Sequence, residues 1–170
     1  CGHGTYHASL IKKIKLYKKN LFVFLLITSL FASIAYAEES VNYLLTAASK
    51  GDIETVSAIL ESGGNPNTKD EDGVTALMYA ARKDMDKIVA LLIKKGAAVN
   101  ATENNGWTAL MFAAKKNYVR SAQLLLDNGA DPKIRDNDGW SAYGLAAISG
   151  FHDTVDLLIK HGIDPNNTND

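Results

Sequence analysis

At 170 residues and 46% apolar content, the chain is long enough for one domain or a short repeat array and too apolar for wholesale disorder. All 19 acidic residues follow Ala37 whereas 5 of the 18 basic residues precede it, so residues 38–170 carry 13 basic against 19 acidic groups, a net of −6. That balance disfavours nucleic acid or an anionic membrane as a generic partner, and with Cys1 as the lone cysteine it leaves residues 38–170 no disulfide, thiol redox or Cys-metal chemistry.

Residues 1–37 read as an export signal. Lys12, Lys13, Lys15, Lys18 and Lys19 form a basic stretch with no acid before Glu38, and residues 21–32 are a nearly unbroken apolar run. Ala35-Tyr36-Ala37 then offers the small-x-small pattern of a cleavage site. The apolar run falls short of the about 20 residues a membrane span needs, which favours removal over retention as an anchor. Residues 1–10 are set aside as upstream or expression-derived sequence. No Cys stands at the cleavage site, so the usual bacterial lipid anchor is not expected.

A period of 33 residues organises the rest of the chain. Ala47-Ala48, Ala80-Ala81, Ala113-Ala114 and Ala146-Ala147 share it, as do Gly73, Gly106 and Gly139, and Gly63, Gly96, Gly129 and Gly162. The apolar couples Ile59-Leu60, Leu92-Ile93, Leu125-Leu126 and Leu158-Ile159 follow in register. Residues 41–71 are predicted to supply a helix pair without a preceding turn. The turns Asp70-Glu71-Asp72-Gly73, Glu103-Asn104-Asn105-Gly106 and Asp136-Asn137-Asp138-Gly139 each read as tight and hairpin-like. Thr75, Thr108 and Ser141 are placed to cap the first helix of a pair, and the Ala pairs let helices approach closely. Gly51, Asp84, Asn117 and Gly150, all tolerant of a left-handed backbone, are expected to end those helices. A second helix follows, through patterns such as Ile88-Val89-x-Leu91-Leu92-Ile93.

The segments Asp72-Gly73-Val74-Thr75-Ala76-Leu77-Met78-Tyr79-Ala80-Ala81 and Asn105-Gly106-Trp107-Thr108-Ala109-Leu110-Met111-Phe112-Ala113-Ala114 resemble ankyrin repeats, as does Leu125-Leu126-Asp127-Asn128-Gly129-Ala130. The resemblance implies an all-α solenoid of 33-residue helix-turn-helix units joined by hairpin-like turns. Its repeats run over about 40–71, 72–104, 105–137 and 138–170. A tetratricopeptide array, with 34 residues and no Asp-Gly turn, fits less well. The family's usual Thr-Pro-Leu-His stands here as Thr-Ala-Leu-Met twice and Ser-Ala-Tyr-Gly once. Loss of the His is expected to put apolar surface at Met78 and Met111, and Gly144 to soften the last repeat by about 1 kcal/mol relative to Ala.

The resemblance further implies a non-catalytic module that binds a protein partner on a concave face of turn tips and first helices. Trp107 and Trp140, with Val74 as third member, hold equivalent positions after the turn glycine and are candidate anchors. The alternative is that each ring lies over its own turn. Arg82, Lys83, Lys115 and Lys116 would form a basic ledge, or simply meet helix C-termini. Glu71, Asp72, Asn104, Asn105, Asn137 and Asp138 are the turn-tip candidates. Tyr79, Phe112 and Leu145 are assigned to the inter-repeat core. His161 is expected to pack rather than ligate, and His152 with Ser149 and Asp153 lies too close in sequence for a catalytic triad. Calcium is not expected, since a loop with Gly139 sixth would need ligands at Ile134 and Leu145. The sequons at Asn100 and Asn166 are read as coincidental. The expectation is therefore a cofactor-free, exported monomer, periplasmic in a Gram-negative bacterium and off the membrane after cleavage. A secreted effector of host proteins and an accessory subunit of a periplasmic enzyme are the alternatives.

Overall fold

The computed structural model describes residues 27–30 and 43–166. The chain divides into two units, Cys1–Glu39 and Ser40–Asp170. In the first, only 27–30 are described, as an exposed helical turn inside the apolar run; the basic stretch and the cleavage pattern lie outside the described residues. None of the described helices is long and apolar enough to cross a membrane.

The second unit is a row of helix pairs. Residues 43–50 form α1, followed by α2 (Ile53–Glu61), α3 (Ala76–Ala81), α4 (Asp86–Lys94), α5 (Ala109–Ala114), α6 (Val119–Asp127), α7 (Ala142–Ile148) and α8 (His152–Lys160). The first helices of the later pairs are short because they are capped tightly at both ends. Thr75, Thr108 and Ser141 take extended backbone and accept from the N–H of Met78, Met111 and Gly144 at 3.3, 3.3 and 3.2 Å. At the other end the chain turns left-handed at Asp84 (φ 55°) and Asn117 (φ 57°), so that Met85 N–H and Tyr118 N–H reach back to Ala80 O and Ala113 O at 3.0 Å. These are the only non-glycine residues with positive φ among those described, and both are types that tolerate it.

Stacking buries the periodic positions. Ala80, Ala81, Ala113 and Ala114 have no exposed surface, which is how neighbouring pairs come into contact through small side chains. Val56, Val89, Leu92, Leu125 and Leu158 continue the core through the second helices. Met78 and Met111 are 1% exposed, so they fill this core and create no apolar surface, contrary to expectation; the helix's third residue faces inward, where a flexible thioether fills space well.

Polar ladders tie repeat to repeat alongside the core. Ser121 Oγ donates to Asp84 Oδ1 at 2.8 Å and Thr154 Oγ1 to Asn117 Oδ1 at 2.7 Å, so each left-handed residue also grips the next pair. Asn67 and Asn100 each accept from the following repeat's backbone, at Ala98 N–H (2.6 Å) and Asp131 N–H (2.8 Å). Their amides donate to Gly96 O and Gly129 O. The Asn100 sequon thus sits on a side chain engaged in both directions. No buried side-chain nitrogen or oxygen among the described residues lacks a partner.

Candidate protein-binding groove

The turns that border the site are built around one carboxylate each. Asp70 Oδ1 accepts from the N–H groups of Asp72 (3.0 Å) and Val74 (2.8 Å). Glu103 Oε1 does the same for Asn105 (2.9 Å) and Trp107 (2.8 Å), and Asp136 Oδ1 for Asp138 (3.0 Å) and Trp140 (2.8 Å). Glu103 and Asp136 are buried, and these acids form turns. The turn is closed by Gly73, Gly106 and Gly139 N–H donating to Asp70, Glu103 and Asp136 O, and isolated antiparallel bridges join Lys69 to Thr75 and Arg135 to Ser141. At Gly106 the φ of 86° and the next turn's backbone, 3.0 Å from where a Cβ would stand, both demand glycine. No cluster of His, Cys, Asp or Glu among the described residues is arranged to hold a metal ion.

Successive turn tips are joined. Asn104 N–H donates to Asp72 O (2.9 Å) and its side-chain amide to Glu71 O (3.1 Å). Asn137 repeats this on Asn105 O (2.9 Å) and Asn104 O (3.0 Å). Of the sequence-predicted tip residues, Asn104 and Asn137 therefore spend their amides holding neighbouring turns together. Glu71, Asp72 and Asp138 are exposed, and Asn105 Nδ2 donates to Glu103 Oε2 at 3.0 Å.

The two tryptophans have unlike surroundings. Trp107 is half-buried against Phe112, ring centroids 5.0 Å apart and planes tilted by 47°. Trp140 is 41% exposed and lies over Gly144, where an added Cβ would stand 3.1 Å from its ring. Val74, the third member, is buried at 8%. The ledge divides in the same way. Lys83 Nζ donates to Ser49 O of the preceding repeat at 2.6 Å, and Lys115 Nζ reaches Ser149 Oγ at 3.5 Å. Lys116 is exposed. Arg82 instead lays its guanidinium over two rings, 5.1 Å from the Tyr79 centroid and 5.9 Å from that of Phe112.

Asp72, Val74, Arg82, Asn105 and Trp107 come together, with Glu103 and Phe112, around an open groove of about 380 Å³ between the second and third repeats. Trp140, Lys115, Lys116, Asn137 and Asp138 are outside its lining. Of the residues assigned to the inter-repeat core, Leu145 is buried in it and Tyr79 and Phe112 pack against it half-buried, both rings also carrying Arg82 and Phe112 lining the groove. The readable signal was the Tyr79–Arg82 spacing, three residues apart on one helical face. Tyr79 O–H donates to Asp70 Oδ2 at 2.8 Å; that hydrogen bond, then partial burial, raise its pKa above the ordinary phenol value. His161 joins Leu157 O (2.8 Å) and Asp127 Oδ1 (3.3 Å) across the last two repeats, a polar bridge where packing was expected. His152 opens α8 and is exposed.

A family profile described as ankyrin repeats (3 copies) matches residues 44–136 and again 105–169. No curated protein matches the chain. Such repeats are generally protein–protein interaction modules and typically non-catalytic. Stacked helix pairs, capped turns and profile agree, and the chain belongs to the ankyrin-repeat family.

Proposed function

We propose that this chain is an exported interaction module that binds a segment of a protein partner in the groove between its second and third repeats. The observation that carries the reading is the arrangement at Trp107, Phe112, Val74 and Arg82. Trp107 and Phe112 are partly exposed there over buried Val74, beside a cation already held in place by aromatic rings. Anchoring residues of this kind, set in a partly desolvated recess, are where binding energy concentrates in interfaces. Export rests on the basic, apolar and Ala35-Tyr36-Ala37 elements in order, and the periplasm is the compartment of action proposed with it.

A photo-crosslinking residue placed at Asn105, on the groove rim, is expected to trap a discrete protein adduct. The same residue at Lys94, on the second-helix side, is the control. Equal labelling from both positions would remove the groove from the proposal. Export is checked separately by sequencing the N-terminus of the protein recovered from envelope fractions. A start at Glu38 is expected, and an intact leader in the cytoplasm would refute it.

A further inference from the structure

The partner's chemistry can be narrowed from the charges around the groove, and this inference rests on the reading just given. Arg82 is exposed, and its guanidinium uses its flat face on Tyr79 and Phe112. Cation–π contact through the face leaves the in-plane N–H donors unspent, and those are the donors that match a carboxylate. Neither the Arg120–Asp86 ion pair nor the His161–Asp127 contact involves it. Glu103, the buried acid lining the groove, has its oxygens engaged in the turn. They accept from Asn105 N–H, Trp107 N–H and Asn105 Nδ2. The lining thus offers one uncommitted cation, Arg82, beside the apolar surfaces of Val74, Trp107 and Phe112. Asp72, exposed at the turn tip, also lines the groove and supplies negative charge on the turn side.

We infer that the groove recognises an extended protein segment carrying a leucine or aromatic side chain immediately beside an aspartate or glutamate. The apolar side chain enters between Val74, Trp107 and Phe112, and the carboxylate meets the edge of the Arg82 guanidinium. Asp72 opposes the reverse orientation, because a carboxylate brought to the turn side would face a like charge. A volume of about 380 Å³ lies near the small end of ligand pockets, about 300–1,000 Å³, and suits one large side chain with its neighbours.

The probe is a displayed library of short random peptides selected against the purified full chain. Enriched peptides are expected to pair Leu, Phe, Tyr or Trp with an adjacent Asp or Glu. One such peptide is then synthesised with its acid intact and with that acid changed to the matching amide. The amide form is expected to bind the unaltered protein roughly tenfold or more weakly, the scale of a charge-assisted hydrogen bond. Against Arg82→Gln the two peptides should bind alike. Because the peptide exchange requires no protein variant, the result survives even if Arg82→Gln folds poorly. Enriched peptides that are neutral or basic, yet lose binding to Trp107→Ala, would overturn the acidic-segment inference and leave the groove standing. Enrichment that ignores both Trp107 and Arg82, or no enrichment at all, would overturn both.

Discussion

Asn117 performs two tasks at once, and substitutions can separate them. It holds the left-handed turn after α5 and accepts the hydroxyl of Thr154, a residue with no exposed surface, at 2.7 Å. Asn117→Gly keeps the turn, since glycine adopts that φ freely, but leaves the Thr154 hydroxyl without its acceptor. An orphaned buried hydroxyl costs about 1–3 kcal/mol. Asn117→Ala adds a left-handed penalty of about 1 kcal/mol to the same loss, so about 2–4 kcal/mol in all. Thr154→Val removes the donor instead. Asn117 is half-exposed and water can take the vacated position, so at most about 1 kcal/mol is expected. The order of destabilisation is therefore Ala, then Gly, then the valine change. The double variant Asn117→Gly/Thr154→Val should fall short of the sum of its singles by about 1 kcal/mol. Urea unfolding followed by circular dichroism measures all four. A neutral Asn117→Gly, or single effects that simply add within about 0.3 kcal/mol, would refute the claim that these bonds couple adjacent repeats.

Three further outcomes follow from the same geometry. Gly144→Ala should stabilise the chain by less than the about 1 kcal/mol usual for a helix interior, because the new methyl must displace the Trp140 ring; thermal unfolding should show the fuller gain in a Trp140→Ala background. Glu103→Ala should cost about 2 kcal/mol and shift Trp107 emission to the red as its turn loosens, whereas Glu103→Asp should be tolerated, since Asp70 and Asp136 make the equivalent bonds. Tyr79 holds its proton more tightly folded than unfolded, so its contribution is fully present below the unfolded value of about 10 and is lost as pH rises through the folded value. Tyr79→Phe should therefore flatten the alkaline end of a stability–pH curve measured by urea midpoints, and an unchanged alkaline limb would show that the Asp70 bond carries no linkage.

The architecture was legible because every repeat must solve the same local problem with the same residue types. A left-handed turn admits few side chains, a closely packed helix pair needs alanine, and an N-cap needs a hydroxyl. Gly51, Asp84, Asn117 and Gly150, differing in identity, were still readable as one structural position, and all four have positive φ. Trp107 and Trp140 mark where that reasoning stops. Their places in the repeat are equivalent, yet one packs on Phe112 and the other over Gly144, because the positions four and five residues on differ between the two repeats, Met111 and Phe112 in one and Gly144 and Leu145 in the other.

What the sequence determined by itself was the repeat length, the turns and caps, and the family, all set by interactions within a few residues along the chain. Only the stacked structure decided that Asn104 and Asn137 clamp turns together, that Met78 and Met111 fill the core, and that Arg82 lies across Tyr79 and Phe112 beside a groove. Those outcomes depend on contacts about one repeat apart, between residues that spacing alone aligns but cannot orient.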